Sequence, residues 1–135
     1  MMSENIEDLL KRSIPEGESE KVEFKESFDE EAIESVAAFA NTKGGMVLIG
    51  IADDGRVKGV HLGKESLREW ANRITQFARV NPRIKSARLE GKSVVVVEVA
   101  ESPVKPIPYR GRYFKRVDRS NRQMTDDDLT RAILD

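Results

Sequence analysis

The chain has 135 residues, a net charge of −1 and no cysteine, which indicates one domain with its own core and excludes disulfides, thiolate metal ligands and a cysteine nucleophile. No apolar run is long enough for a membrane span and the first ten residues are too acidic for a signal peptide, so we expect a cytoplasmic protein. Residues 1–54 carry fourteen acidic and five basic side chains, whereas residues 55–135 carry ten acidic and eighteen basic. This division favours carboxylates beside a polyanion-binding surface, unless the fold mixes the two halves.

The N-terminal segment is predicted to be a separate helix. Apolar side chains of residues 3–11 recur on one side, as in a short amphipathic helix, and Ile14-Pro15-Glu16-Gly17 is expected to break it. We therefore divide the chain into an N-terminal helix, residues 1–13, and one domain, residues 14–135.

Residues 18–25 form the first segment with candidate chemistry. Val22 and Phe24 alternate with charged residues, which predicts a strand with one apolar and one charged face. The period of two places Glu23 and Lys25 side by side on the charged face.

A helix is predicted next. Ser27 followed by Glu30 resembles a capping box, and apolar residues then recur at helical spacing. Gly44 and Gly45 can supply the positive φ that ends a helix.

A buried strand and a turn are expected to follow this helix. Residues 46–51 are an apolar run, typical of a strand covered on both faces. Asp53-Asp54-Gly55 has turn chemistry, and Val57 and Val60 are expected to begin the return strand.

The second half is predicted to begin with a helix and a hairpin. Residues 67–78 have the clearest amphipathic pattern, and Trp70 within it is expected in the core rather than as a stacking platform for bases. Glu90-Gly91 predicts a hairpin between strands at residues 84–89 and 94–99.

The chain is expected to end in a strand at residues 113–117 and a helix capped by Thr125. The elements lack a regular βαβ alternation. They predict an α+β fold of one domain, with a mixed, mostly antiparallel sheet and about four helices.

Four side chains form the first candidate site: Glu18, Glu23, Lys25, and Asp53 or Asp54. Converging carboxylates bind Mg²⁺ or Mn²⁺ through oxygen, and a nearby lysine can stabilise charge on a scissile phosphate. Charged residues also alternate on any solvated strand face, and the spacing alone favours that interpretation.

A basic segment forms the second candidate site. Seven basic side chains are interleaved with three aromatic residues and one acid, Asp118: Lys105, Arg110, Arg112, Lys115, Arg116, Arg119 and Arg122. Guanidinium groups pair with phosphates and exposed rings stack on bases, which favours RNA or DNA as a partner. The alternative is a solvated basic hairpin whose tyrosines support the core.

No nucleotide cofactor is supported. Gly50 and Gly55 have the spacing of phosphate-loop glycines, but Arg56-Val57 stands where Lys-Ser/Thr is required. His61 has no second histidine with which to bind a metal or form a catalytic dyad, and we interpret it as a loop residue.

Three blocks of the sequence resemble the Schlafen-type Alba-like domain. They are residues 17–25, residues 36–55 with Asn41-Thr42-Lys43-Gly44-Gly45 and Leu48-Ile49-Gly50-Ile51, and Phe114-Lys115-Arg116-Val117 with Ser120-Asn121 and Met124. The blocks follow the family's order and cover about residues 14–134. Asp118 departs from the glycine usual in the family at that turn.

The resemblance implies a nucleic-acid-binding module, as prokaryotic members are described. In animal Schlafen proteins, paired copies form a horseshoe that cuts tRNA and rRNA with three metal-binding carboxylates. Glu18 and Glu23 match two of them, Asp53 is the expected third with Asp54 as the alternative, and Lys25 matches the neighbouring lysine. A single domain would have to form a homodimer to imitate this arrangement.

We therefore expect a nucleic-acid-binding domain that contacts RNA or DNA. The first alternative is a metal-dependent endoribonuclease for structured RNA such as tRNA, with Glu18, Glu23 and Asp53 as ligands of Mg²⁺ or Mn²⁺ and Lys25 as the charge stabiliser. The second alternative is a non-catalytic oligomerisation module.

Overall fold

The structure, a computed structural model, describes residues 5–134. Within them the helices and strands are, in chain order, α1 (Ile6–Glu16), β1 (Val22–Lys25), α2 (Glu30–Ala40), β2 (Gly45–Ile49), α3 (Ser66–Ala78), β3 (Arg83–Leu89), β4 (Lys92–Val99), β5 (Pro108–Tyr109), β6 (Arg112–Val117), β7 (Ser120–Gln123) and α4 (Asp126–Leu134). The predicted α+β class with four helices is confirmed.

The main sheet has four strands in the order β1-β2-β4-β3. Its β1–β2 pair is parallel and the other pairs are antiparallel, so that Val47 of β2 lies between Glu23 of β1 and Val97 of β4. Residues 94–97 of β4 are all valine and all buried, as expected of a central strand covered on both faces.

Two cores cover the two faces of the main sheet. The larger core lies against α2 and α3 and includes Ile33, Phe39 and Ile74. The smaller core lies against α1 and includes Leu10 and Phe24. Because successive side chains of a strand point to opposite faces, Glu23 and Lys25 lie on the face opposite Phe24, where α2 packs.

A second, three-stranded sheet of order β5-β6-β7 packs on α2. Asn41, just after α2, fixes its position: its amide nitrogen donates to the carbonyl oxygens of Ile107 and Phe114, 2.9 Å each, and its oxygen accepts from the Ile107 N–H at 2.6 Å. The Thr42 hydroxyl accepts from the Arg116 N–H at 2.8 Å. The end of α2 therefore holds β6 in register.

Two glycines make the turn from α2 into β2, but only Gly44 has a positive φ, whereas Gly45 was expected to have one as well. Gly44 has φ +74°, and a Cβ there would lie 2.7 Å from the carbonyl oxygen of Val99. At Gly45 a Cβ would lie 2.7 Å from both the Lys21 carbonyl oxygen and the Phe39 ring. Only glycine permits this turn to approach its neighbours so closely.

Two predicted helix boundaries were wrong. Helix α1 continues through Pro15 to Glu16, with Gly17, φ +82°, as its C-cap, because the loss of one proline N–H does not outweigh the packing of Ile14 on the smaller core. Its expected start at Ser3 lies outside the described residues. Helix α2 is capped by Asp29 rather than Ser27, since the Asp29 carboxylate accepts from the Ala32 N–H at 2.9 Å.

The expected return strand after the Asp53–Asp54–Gly55 turn was also wrong. Val57 makes a single bridge to Ile51, and β4 is the antiparallel neighbour of β2. The Lys58 and Gly59 N–H groups both donate to the Gly50 carbonyl oxygen, which turns the chain away from the sheet.

The other predicted elements of the second half are confirmed. Strands β3 and β4 form the hairpin through Glu90-Gly91, and Thr125 accepts from the Asp128 N–H at 3.1 Å. Trp70 packs on the larger core and stacks on Phe28 with ring centroids 4.7 Å apart. Among residues 5–134, no helix combines the length and apolar character that crossing a membrane requires.

Candidate acidic site and nucleic-acid interface

Two predicted acidic residues come together. The carboxyl groups of Glu18, before β1, and Glu23, in β1, share a hydrogen bond, and Glu18 also accepts from the Phe24 backbone. Burial, the contact with Glu23 and the charge of Asp53 raise the pKa of Glu18 to about 7. We call Glu18 and Glu23 the acidic pair.

Arg116 holds one side of the acidic pair. Its side chain is only 1% exposed, and its guanidinium donates to Glu23 Oε2 at 2.7 Å, the Ser19 carbonyl oxygen at 3.0 Å and Asn121 Oδ1 at 2.8 Å. It also lies over the Phe39 ring, 4.9 Å from the centroid. Arg116 was predicted to contact nucleic acid, but in this structure it is buried and braces the acidic pair.

Lys25 is held by two carboxylates of the α2 N-terminus. Its Nζ lies 3.2 Å from Asp29 Oδ2 and 3.0 Å from Glu31 Oε2. Burial alone would lower the pKa of Lys25, but the bonds to Glu31 and Asp29 raise it overall. The predicted charge stabiliser is therefore ion-paired in this structure.

The two aspartates of the turn after β2 differ in their surroundings. Asp54 bonds the Arg56 side chain at 2.8 Å, and the Arg56 backbone and side-chain donors lower the pKa of Asp54. Asp53 is exposed, and its charge acts on Glu18. Of the two alternatives for a third acid, Asp53 is the one electrostatically linked to the acidic pair.

The acidic residues meet only part of what a metal site needs. Carboxylate oxygens are the donors that Mg²⁺ and Mn²⁺ prefer, and the acidic pair brings two of them into contact. In the part of the chain that the structure describes, however, no group of three His, Cys, Asp or Glu side chains is arranged to hold a metal ion. Asp53 would have to move toward the acidic pair to complete a set of three.

The predicted basic residues fall into three groups. Arg116 is buried. Three others pair with carboxylates: Lys105 with Glu101, Arg110 with Glu30, and Lys115 with Asp128. The last three are exposed and have no ion pair within residues 5–134: Arg112, Arg119 and Arg122.

The strand register separates the inner from the outer face of the small sheet. Arg116 lies opposite Asn121 and points to the core, whereas Lys115 lies opposite Arg122 on the outer face. Arg119 lies in the turn that joins β6 to β7. We call Lys115, Arg119 and Arg122 the outer basic face.

Asn121 and Phe77 were missed as site residues. Asn121 links Arg116 to Glu34 and Ser35 of α2 through its amide nitrogen, at 3.0 and 2.9 Å. Phe77 is 39% exposed and has the Arg110 guanidinium 5.9 Å from its ring centroid. Asn121 lies in β7, which has no apolar alternation, and it entered only through the family resemblance. Phe77 fitted a core pattern, so neither residue gave a sequence signal for the contacts that it makes.

Glu18 is expected to make stability fall as pH rises. Its pKa is raised in the folded protein from an ordinary value of 4.5 to about 7, so the folded state binds more protons than the unfolded state between these values. The free energy of unfolding should therefore decrease from pH 4.5 to 7 and lose nothing further from this group above that range. Glu18→Gln should flatten this decline in urea titrations at several pH values. Equal declines in the wild type and in Glu18→Gln would contradict this expectation. Glu26→Gln, which changes an exposed glutamate, is the control and should decline as the wild type does.

Solved structures place the fold in a class of small α+β domains. DIP2311, a protein from Corynebacterium diphtheriae, is 27% identical to this chain, with a TM-score of 0.65. The match covers 78% of this chain but only 26% of DIP2311. The N-terminal domain of a protein from Nitrosomonas europaea, provisionally described as an ATP-dependent DNA helicase RecG-related protein, is 27% identical with a TM-score of 0.64; the match covers 91% of this chain and 95% of that domain.

The family model described as Schlafen, AlbA_2 matches residues 18–125. The chain belongs to this family, as its sequence blocks predicted. No curated protein matches the chain significantly.

Proposed function

We propose that this domain binds the phosphate backbone of RNA or DNA. The observation that carries the proposal is the set of exposed arginines without ion pairs, Arg112, Arg119 and Arg122, gathered on one small sheet of a chain whose net charge is −1. Membership of the Schlafen family and the likeness to the domain of a RecG-related protein both support a nucleic-acid-related role.

The outer basic face suits an extended polyanion. Lys115 and Arg122 are direct neighbours across two strands, and Arg119 continues the line into the turn. Unpaired guanidinium groups release counterions when they bind phosphates, which supplies affinity without sequence specificity. At the other end of β6, Arg112 lies beside Arg110, whose guanidinium in turn lies over the exposed Phe77, a ring that can stack on a base.

Arg119→Gln/Arg122→Gln is expected to weaken binding of RNA and DNA and to reduce the salt dependence. Loss of two phosphate contacts should make the slope of log K against log salt shallower by about two. Fluorescence anisotropy with a labelled hairpin RNA and a labelled duplex DNA, at several salt concentrations, measures both effects.

The matched control is Lys11→Gln/Arg83→Gln, which removes two exposed cations from α1 and β3. It should bind like the wild type, whereas a general charge effect would weaken both double variants equally. An unchanged slope in Arg119→Gln/Arg122→Gln would overturn the placement of the interface on the outer basic face.

A second candidate function is a metal-dependent endoribonuclease, favoured by the contact within the acidic pair. Glu18, Glu23 and Asp53 would hold Mg²⁺ or Mn²⁺, which activates water and offsets phosphate charge when bound. Arg116 would fix the Glu23 carboxylate. Lys25 would have to leave Asp29 and Glu31 before it could approach a phosphate.

The same nucleic acids, end-labelled and incubated with Mn²⁺ or EDTA, separate the two candidates. Cleavage that disappears with EDTA and in Glu18→Gln supports the nuclease. Intact nucleic acid in every lane, together with a shifted band in native gels, rejects the nuclease and leaves the binding module. Sedimentation of the same samples tests the homodimer that the paired Schlafen arrangement requires.

A further inference from the structure

A basic depression, separate from the outer basic face, lies where the loop after β2 meets the β3–β4 hairpin. Its volume is about 480 Å³, and its lining includes Lys58, His61, Arg88 and Lys92 but no carboxylate. The sequence assigned no role to these residues, and they are distinct from the outer basic face.

The cations of this depression have no carboxylate partner within residues 5–134. Lys92 Nζ donates to the Val57 carbonyl oxygen at 3.1 Å, and the Arg88 guanidinium donates to the Gly91 carbonyl oxygen and to Ser93 Oγ. These partners are neutral, and Lys58 has no ion pair within residues 5–134. In contrast, Lys25, Lys105 and Lys115 each pair with a carboxylate. A concave surface with three uncompensated cations focuses a positive potential.

The loop that forms one wall is held in place by backbone contacts. Lys58 and Gly59 donate to the Gly50 carbonyl oxygen at 2.8 and 2.9 Å, and Val60 donates to the Ser93 carbonyl oxygen at 2.8 Å. Gly59 has φ +75°, and a Cβ there would lie 2.8 Å from Lys92 Cβ. The loop packs directly on β4, so the backbone that carries Lys58 is held in place before a ligand arrives, which lowers the entropic cost of binding.

We propose that this depression binds a phosphate group. Lysine and arginine supply ionic and bidentate donors for phosphate oxygens, and the His61 ring adds an N–H donor. The volume exceeds that of one phosphate and falls in the range of sites that hold a nucleotide. The phosphate comes either from the backbone of a nucleic acid or from a free nucleotide.

The position of the depression has a consequence for a bound strand. The loop that carries Lys58 and His61 begins just after Asp53, whose charge acts on the acidic pair. A nucleic-acid strand whose phosphate is held here would therefore contact the loop that follows Asp53 in the chain. This extension to a strand rests on the proposed nucleic-acid binding, whereas phosphate binding itself does not.

Amide chemical shifts measured by NMR test the proposal. The full chain is titrated with inorganic phosphate, with AMP and with a short single-stranded RNA, and we expect saturable shifts at residues 58–62 and 91–93. Shifts with RNA alone identify a nucleic-acid backbone as the source, and shifts with AMP or phosphate as well identify a free nucleotide. Absence of shifts with all three ligands overturns the proposal.

Two sets of variants make the assignment specific. Lys58→Gln/Arg88→Gln should raise the dissociation constant read from these amides at least tenfold. Lys85→Gln, which changes an exposed residue of the same strand as Arg88, should leave it unchanged. Equal affinity in Lys58→Gln/Arg88→Gln and the wild type overturns the site. In Arg119→Gln/Arg122→Gln the AMP or phosphate shifts should persist, which separates a failure here from a failure of the outer basic face.

Discussion

Asn41→Ala is expected to lower the free energy of unfolding by about 3 kcal/mol, because it leaves three partly buried backbone groups without the side-chain partner that they share, at roughly 1 kcal/mol each. The Asn41 side chain bonds both the N–H and the C=O of Ile107 and the C=O of Phe114, and the residue is 8% exposed. No other side chain in the described range bonds these three groups. Urea denaturation followed by circular dichroism measures the change.

Asn72→Ala is the matched control, since Asn72 is an exposed residue of α3. It should change the free energy of unfolding by less than about 0.5 kcal/mol. A loss below about 1 kcal/mol in Asn41→Ala would show that water replaces the amide and that the small sheet is not anchored through this residue.

The helices, the central strand and the β3–β4 hairpin could be predicted because each has a local signal. Helix α3 has a continuous amphipathic period, and Glu90-Gly91 both have positive φ, as the turn requires. Strands β5 and β7 have no such signal, since β7 consists of Ser-Asn-Arg-Gln. The anchoring role of Asn41 depends on partners 66 and 73 residues away, which no local pattern reveals.

The positions of the acidic residues in β1 followed from the sequence more directly than the positions of the basic residues. The period of two in β1 placed Glu23 and Lys25 on one face, but it could not show that Lys25 pairs with Asp29 and Glu31. The basic segment was treated as a single surface. The same period of two in β6 separates Arg116, which lies inward with Phe114, from Lys115 on the outer face. The burial of an arginine follows only from the neighbours that its side chain meets.

Arg116→Met is expected to destabilise the protein by roughly 3–5 kcal/mol, the usual cost of removing one partner of a buried ion pair. The change leaves the Glu23 carboxylate without its donor and the Ser19 carbonyl oxygen with only the Val22 N–H, at 3.4 Å. The pKa of Glu18 should rise further above about 7, because the charge of Glu23 is no longer offset. Urea denaturation and NMR titration of the Glu18 carboxyl carbon measure the two effects.

Two further variants separate charge from hydrogen bonding. Arg116→Lys keeps the charge, but one ammonium group cannot reach Glu23, Ser19 and Asn121 as the planar guanidinium does, so it should recover only part of the lost stability. In a Glu23→Gln background the same Arg116→Met change should cost less, because no carboxylate is then left unpaired. If the cost is the same in both backgrounds, the two residues are not coupled, and Arg116 stabilises the fold through its carbonyl and aromatic contacts rather than by holding the acidic pair.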